Sequence, residues 1–211
     1  MAPSLLAHRR LYLCVGLRDD LDRLVAEAIA GGVDVVQLRE KNAEAIPIMR
    51  AAAKISAICR EGGVPFFIND RIDIALAVGA DGVHLGQGDL PPDIARRFGG
   101  DKILIGRSTH APAEILAAVN EPVDYVSAGP VEPTPTKPGR EGTGLEYVTM
   151  AVNATTLPVF ITGGVTPEKI APLAKAGASH FVVVRNITEA ADPRRAAHRL
   201  REAINANVQG G

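Results

Sequence analysis

The chain has few cysteines, and their positions argue against a metal site built from them. Among its 211 residues there are two, Cys14 and Cys59, which fall in a predicted strand and a predicted helix. Neither has a neighbour at the spacing of zinc ligands, and the sequence has no His-x-x-x-His or Cys-x-x-Cys motif. The sequence therefore predicts a reduced, cytoplasmic protein without zinc.

The chain also lacks an excess of charge and a long apolar run. Its formal net charge is -1, so the composition predicts no nucleic-acid partner and no attraction to an acidic membrane surface. No apolar stretch approaches the length of a membrane span, which predicts no membrane partner. The basic start at residues 8–10 precedes only a short apolar run, and we interpret that run as a first strand rather than a signal sequence.

What the chain has is a regular alternation of short apolar runs with longer segments of helical period. The hydrophobic content of 46% is enough for one sizeable core, and eight βα units in one domain, residues 1–211, predict an α/β fold, a compact (β/α)8 TIM barrel. An open doubly wound sheet is the alternative, because sequence alone does not show closure. The predicted strands are Leu11–Val15, Val33–Leu38, Pro65–Ile68, Gly82–Leu85, Ile103–Gly106, Tyr125–Ala128, Val159–Thr162 and Phe181–Val184. The clearest predicted helices are Asp20–Ala30, Ala43–Glu61 and Asp192–Asn207.

One connection is much longer than the others. Residues 130–144 follow the sixth predicted strand and are rich in proline, glycine and hydroxyl side chains. A loop of this length inside a compact domain is commonly a lid or a binding loop. We predict that it covers an active site.

Two aspartates follow neighbouring predicted strands, Asp70 after the third and Asp89 after the fourth. Because parallel strands end at one rim, the two carboxylates are expected to lie close together and to bind a hard cation, Mg²⁺. Local structural roles are also open. Asn69 and Asp70 could cap the next helix, and Asp89 could stabilise a turn before Pro91.

Basic and amide side chains follow the second predicted strand. Gln37, Arg39 and Lys41 are two residues apart, which sends them to one side of an extended chain. They would then converge on an anion at the rim. The alternative is a solvated turn in which Glu40 pairs locally with its basic neighbours.

The remaining candidates each have a structural alternative. Ser108 or Thr109 could face a phosphate or simply cap a helix. His84 lies within a strand, and we interpret it as a satisfied core histidine rather than a catalytic one. A phosphate site is indicated at the ends of strands seven and eight, where the chain reads Gly163-Gly164 and Val184-Arg185-Asn186.

Taken together, these motifs resemble the thiamine-phosphate synthase family over essentially the whole chain. Six segments carry the resemblance in order: Gln37 to Lys41, Asn69-Asp70, His84 to Gln87 with Asp89, Ser108 to His110, Gly129-Pro130 with Pro133 to Lys137, and Gly163 to Val165.

The resemblance implies a transferase that acts on small molecules. It would join 4-amino-2-methyl-5-hydroxymethylpyrimidine diphosphate to 4-methyl-5-(2-phosphoethyl)thiazole, or its carboxylated form, and release diphosphate, with Mg²⁺ as cofactor. Catalytic roles fall to Lys137, Arg39, Lys41 and Ser108, and the metal ligands are Asp70 and Asp89. The pyrimidine diphosphate would contact Gln37, Leu38, Arg39, Glu40, Lys41, Asn69, Ser108 and Lys137. The thiazole phosphate would contact Thr134, Pro135, Thr136, Gly164, Val184 and Arg185.

Arg185 departs from the resemblance, which implies a small serine at this position. Its guanidinium could add a bidentate contact to the thiazole phosphate, or it could point outward. Three competing functions stay open on the same fold: a thiazole tautomerase-like or regulatory paralogue, a phosphate-binding module without activity, and an epimerase or aldolase. The sequence allows a homo-oligomer and leaves the oligomeric state open.

Overall fold

Eight parallel strands close into a barrel in the computed structural model, which describes residues 5–135, 139 and 141–208. Each strand pairs with the next in sequence, and β8 pairs with β1. Closure excludes the open doubly wound sheet. The strands are β1 Leu11–Val15, β2 Val35–Leu38, β3 Phe66–Asn69, β4 Gly82–Leu85, β5 Leu104–Thr109, β6 Tyr125–Ala128, β7 Val159–Ile161 and β8 His180–Val183.

Helices follow the strands and cover the outside of the barrel. They are α1 Leu21–Ala30, α2 Ala45–Glu61, α3 Ile72–Val78, α4 Pro92–Gly99, α5 Pro112–Ala118, α6 Gly144–Ala154, α7 Pro167–Lys175, α8 Arg185–Thr188 and α9 Pro193–Asn207, with a 3₁₀ turn at Gly100–Lys102. In the part of the chain that the structure describes, none of these helices is both long and apolar enough to cross a membrane.

The last helix illustrates how the sequence sets helix ends. The side chain of Asp192 accepts a hydrogen bond from the Arg195 backbone N–H (2.9 Å), and Pro193 occupies the first helical position. Its buried residues Ala197, Leu200 and Ile204 recur at helical spacing against the barrel. The predicted ends of this helix, α1 and α2 are confirmed to within two residues.

The predicted strands are confirmed in number and order, and the carboxyl end of β5 shows the largest shift from its predicted position. It continues three residues beyond Gly106, because Ser108 and Thr109 pair with β6. Gly106 has a packing role instead of ending the strand: a Cβ there would lie 2.1 Å from Cζ of Tyr125. The glycine makes room for a ring inside the barrel.

The core has two parts, as expected for a barrel whose strands alternate their side chains between two faces. Leucine, isoleucine and valine side chains fill the layer between strands and helices. Inside the barrel, aromatic rings of Tyr12, Phe67, Tyr125 and Phe160 pack at centroid distances of 5.2 to 6.1 Å and are at most 1% exposed. This ring layer lies directly below the polar residues at the carboxyl ends of the strands.

His180 lies inside the barrel near the amino ends of the strands. Its ring packs edge-on against Phe160, and Nδ1 lies 2.9 Å from Nη1 of Arg10 and 2.8 Å from Oγ of Ser179. Burial, with a smaller contribution from the positive charge of Arg10, lowers the pKa of His180 to about 3. The ring is therefore neutral in the folded protein.

This neutral ring predicts a loss of stability in mild acid. Below the ordinary histidine pKa of about 6.5 the unfolded chain binds a proton that the folded chain does not, so the free energy of unfolding falls as the pH falls toward 3. We expect His180 to account for about 1 kcal/mol of loss between pH 7 and 5.5. Urea unfolding of wild type and His180→Asn at both pH values measures it. An equal pH dependence in the two proteins would contradict the prediction.

Candidate active site

Two adjoining cavities open at the carboxyl ends of the strands. The inner cavity, about 60 Å³, lies inside the barrel mouth. The outer cavity, about 230 Å³, lies over strands β7 and β8. Thr162, Val182 and Val184 line both, so the two form one continuous site with two compartments.

The inner cavity brings together four of the residues that the sequence predicted for a diphosphate: Gln37, Arg39, Asn69 and Ser108. Asn69 is 5% exposed, and its amide Nδ2 has no hydrogen-bond partner among the described residues. A buried donor without a partner is costly unless a ligand or water supplies one. The cavity is thus suited to a ligand with hydrogen-bond acceptors.

The two carboxylates meet at the rim beside this cavity. Lys41 Nζ lies 3.0 Å from Oδ2 of Asp70. Burial, reinforced by the neighbouring carboxyl of Asp89, raises the pKa of Asp70 to about 6, although Lys41 opposes the shift. Burial alone would raise the pKa of Asp89 too, but hydrogen bonds from Asp70 and from the Gly86 N–H, with the charge of Lys41, lower it. The two carboxyl groups therefore differ, because Asp70 holds a proton more readily than an ordinary aspartate and Asp89 less readily.

The structural alternatives for these residues have different outcomes. The helix-cap interpretation of Asn69 and Asp70 is wrong: Asn69 ends β3, and Arg71 precedes α3 without a side-chain cap. Asp70 instead takes a left-handed backbone conformation, with φ of 63°. The turn role of Asp89 is confirmed, because its Oδ2 accepts a hydrogen bond from the Gly86 N–H (2.7 Å).

The local pairing proposed for the segment after β2 does not form at Lys41, which pairs instead with Asp70, directly after β3. Glu40 accepts a hydrogen bond from the Asn42 backbone N–H (3.0 Å) instead. Leu38 belongs to the core between strands and helices and is 1% exposed, so its side chain does not reach either cavity. Of the predicted diphosphate contacts in this segment, Gln37 and Arg39 line the inner cavity.

The helix-cap interpretation of Ser108 and Thr109 is also wrong, because both lie within β5 and Ala111 precedes α5. Ser108 faces the inner cavity, whereas Thr109 is buried and donates a hydrogen bond to the Ser127 carbonyl (3.0 Å). The interpretation of His84 as a satisfied core residue is confirmed by hydrogen bonds at both ring nitrogens.

The outer cavity has the shape of a phosphate site. Gly163 and Gly164 line the outer cavity in left-handed conformations (φ 92° and 77°), and their backbone is exposed to the cavity. Side-chain carbons there would meet the long loop, since a Cβ on Gly163 would lie 2.4 Å from Cβ of Pro130. Loops after β7 and β8 with a short extra helix commonly bind phosphate in this fold, and α8 is such a helix.

The thiazole-phosphate residues are only partly assembled within the described chain. Thr134, Gly164, Val184 and Arg185 line the outer cavity, and Pro135 is exposed beside it without lining it. The predicted contacts Thr136 and Lys137 lie outside the described residues. Arg185 is exposed to solvent at the cavity wall.

One functional residue was missed by sequence reasoning. Arg107 points outward from β5 and is 7% exposed, and it donates a hydrogen bond to the Gly86 carbonyl (2.6 Å). It also pairs with Glu121 (3.1 Å). Arg107 thus fixes the turn that carries Asp89. The only sequence signal for this role is an arginine within a strand whose other residues are apolar or small.

The fold and the site define a class: a (β/α)8 barrel with a glycine turn after β7 that lines one cavity, and a carboxylate pair beside a second, donor-rich cavity. Comparison with known proteins gives the family. The thiamine monophosphate synthase family matches residues 11–187, and the chain belongs to it.

Individual relatives agree with this assignment over nearly full length. A thiamine-phosphate synthase from Thermus thermophilus is 50% identical and covers 92% of this chain and 97% of its own. One from Mycobacterium sp. (strain JLS) is 47% identical, with 94% of each chain covered. Among solved structures, thiamine phosphate pyrophosphorylase from Pyrococcus furiosus superposes with a TM-score of 0.88 at 31% identity, covering 95% and 97% of the two chains.

Proposed function

We propose that this chain catalyses the transferase reaction for which its relatives are named. It joins 4-amino-2-methyl-5-hydroxymethylpyrimidine diphosphate to 4-methyl-5-(2-phosphoethyl)thiazole, giving thiamine phosphate and diphosphate; with the carboxylated form of the thiazole, carbon dioxide is released as well. The observation that carries the proposal is the pair of adjoining cavities with a shared wall. One compartment offers donors for a diphosphate, the other a glycine turn for a phosphate, and the reacting atoms would meet between them.

The carboxylate pair suits a magnesium ion. Asp70 and Asp89 are hard oxygen donors, and burial together with the neighbouring Asp89 carboxyl raises the pKa of Asp70. Mg²⁺ commonly takes one or two carboxylates and completes its shell with waters and substrate phosphates. When bound, the ion would neutralise charge on the diphosphate as that group leaves.

The side chains of the inner cavity would stabilise the leaving group. As the C–O bond to the pyrimidine methylene breaks, its electron pair passes to the diphosphate, and the donors Arg39 and Ser108 take up the developing charge. Gln37 and the unpartnered Nδ2 of Asn69 would hold the pyrimidine diphosphate. On the resemblance alone, Lys41 and Lys137 would add positive charge to the same group.

The outer cavity would align the second substrate. The backbone at Gly163 and Gly164 would hold the thiazole phosphate, with Thr134 beside it. The thiazole nitrogen then forms the new C–N bond with the electron-poor methylene. No protein nucleophile is needed, because the aminopyrimidine itself stabilises the positive charge. The 130–144 loop would exclude water from that carbon.

A direct assay tests the proposal. Purified protein is incubated with both substrates and Mg²⁺, and thiamine phosphate and diphosphate are measured together, with omission of each substrate and of the metal as controls. Formation of both products in equal amounts, only in the complete mixture, is the expected result. Thiazole phosphate binding without product would favour a tautomerase-like or regulatory paralogue. No binding of either substrate would contradict the proposed site.

Arg185 gives a more specific prediction about the outer cavity. Arg185 lines the same cavity as Gly163 and Gly164, so its guanidinium would contact a phosphate held there. We expect Arg185→Ser to raise the KM for thiazole phosphate about tenfold, the effect of losing one charged contact of about 1.4 kcal/mol. The KM for pyrimidine diphosphate and the Mg²⁺ requirement should not change. Identical kinetics in Arg185→Ser and wild type would assign the phosphate to backbone amides alone.

Two expectations from the sequence stay predictions. One is the cytoplasmic location, which rests on cysteine usage; Cys14 and Cys59 are both buried in the fold. The other is assembly into a homo-oligomer, which size-exclusion chromatography with light scattering would measure directly.

A further inference from the structure

A continuous chain of hydrogen bonds crosses the interior of the barrel beneath the inner cavity. Ser108 Oγ lies 2.8 Å from Nε2 of His84, and Nδ1 of the same ring lies 2.8 Å from the Tyr125 hydroxyl. The Tyr125 and Tyr12 hydroxyls are 3.0 Å apart, and Nε2 of Gln37 donates to Tyr12 at 2.8 Å. All five side chains are at least 92% buried. The chain, which we call the barrel relay, joins two residues of the proposed pyrimidine diphosphate site.

The amide of Gln37 sets the direction of the barrel relay. Its Oε1 accepts from Sγ of Cys14 (3.5 Å), which places the NH₂ group toward Tyr12. Tyr12 therefore accepts a hydrogen bond from Gln37 and donates its own single hydrogen to Tyr125, its other described hydroxyl partner. Burial raises the pKa of both tyrosines, so each keeps that hydrogen.

The hydrogens of the remaining relay residues, up to Ser108 at the rim, are assigned in the same way. Because Tyr125 accepts from Tyr12, its hydrogen goes to Nδ1 of His84. A neutral ring that accepts at Nδ1 carries its proton on Nε2, and it therefore donates to Ser108 Oγ. The hydrogen of Ser108 is then left to point away from the ring. Its next described neighbour, Ser127 Oγ, is 3.5 Å away, at the limit of hydrogen bonding, whereas the cavity lies directly in front of it.

We infer that the barrel relay holds His84 as its Nε2–H tautomer and thereby presents Ser108 as a hydrogen-bond donor to the ligand. His84, Tyr125 and Tyr12 are positioning residues in this scheme, since none of them has to touch the reacting atoms. The opposite direction would need a flipped Gln37 amide, would put the proton on Nδ1, and would make Ser108 donate to His84. Ser108 would then have no hydrogen to offer an oxyanion. The choice of tautomer thus decides whether the serine can stabilise a leaving diphosphate.

The tautomer can be measured without substrate. Two-bond ¹H–¹⁵N correlation spectra of histidine-labelled protein at pH 8 distinguish the two ring nitrogens, and a His84→Gln variant assigns the His84 signals among the five histidines. We expect Nε2 to carry the proton. A proton on Nδ1, or on both nitrogens, would overturn the inference.

The consequence for Ser108 rests on the proposed function and is tested by kinetics. Tyr125→Phe removes the hydrogen that holds Nδ1 as an acceptor, and Tyr12→Phe removes the donor to Tyr125. We expect each to lower kcat about tenfold while the KM for thiazole phosphate stays within twofold. Phe160→Leu is the matched control, because Phe160 packs on both tyrosine rings and makes no side-chain hydrogen bond.

The outcomes separate the inference from the proposed function. Equal falls in kcat for Phe160→Leu and Tyr125→Phe, at equal losses of thermal stability, would assign the tyrosines a packing role only and overturn the inference. If the tyrosine variants fail to fold, the ¹⁵N spectrum of the wild type still decides. A wild type that shows the Nε2–H tautomer but makes no thiamine phosphate would contradict the proposed function and leave the tautomer assignment intact.

Discussion

Asp70→Asn should lower turnover by roughly 300-fold, equivalent to about 3.4 kcal/mol of transition-state stabilisation. The substitution removes one of the two rim carboxylates proposed to hold Mg²⁺, so the Mg²⁺ concentration for half-maximal activity should rise as well. Asparagine is the informative replacement, because it tolerates the left-handed backbone of this position (φ 63°) far better than alanine does. Steady-state rates over a Mg²⁺ titration measure both effects.

A nearby carboxylate provides the control for Asp70. Asp73 is three residues along the chain, is exposed on α3 and pairs with Arg71. Asp73→Asn makes the same change of charge without touching the rim pair, and its activity should match wild type. The metal assignment would fail if Asp70→Asn kept both the wild-type rate and the wild-type Mg²⁺ requirement.

Arg39→Met should reduce kcat by about 100-fold, since a bidentate charged contact of about 2.7 kcal/mol would be lost where diphosphate charge develops. The guanidinium lines the inner cavity beside Asn69 and Ser108, and methionine keeps much of its apolar stem. The effect should appear in kcat more than in the KM for pyrimidine diphosphate, because the charge grows as the bond breaks.

Arg39→Lys separates charge from geometry at this position. Lysine keeps the positive charge but not the planar fork, so about a tenfold loss is expected, between wild type and Arg39→Met. Arg50, exposed on α2 away from both cavities, gives the control variant Arg50→Met. A rise in KM alone, with kcat unchanged in Arg39→Met, would show that Arg39 binds substrate and transition state equally.

The sequence predicts the barrel well because the buried strands leave strong apolar runs, each bounded by glycine or a rim residue. Because parallel strands end at one rim, their terminal residues lie close together. This explains why Asp70 is next to Asp89 and why Gln37 and Ser108 line the same cavity. What pattern reasoning missed depends on contacts between distant residues. Gly106 looked like the end of a strand, yet it is there because the ring of Tyr125, nineteen residues later, fills the space of its side chain.

The structural roles of polar residues were equally hard to predict. Asn69 and Ser108 have the chemistry of helix caps, and local sequence does not show that both residues pair with a neighbouring strand. Arg107 and the two tyrosines of the barrel relay do not belong to any motif that the sequence analysis identified. Their function depends on partners on other strands, so only the assembled barrel reveals it.

The layer of aromatic rings below the inner cavity also determines from which side ligands reach the active site. Among the described residues, Tyr12, Phe67, Tyr125 and Phe160 close the barrel beneath the inner cavity, which opens with the outer one at the carboxyl ends of the strands. Both substrates would therefore enter, and both products leave, at the same end of the barrel.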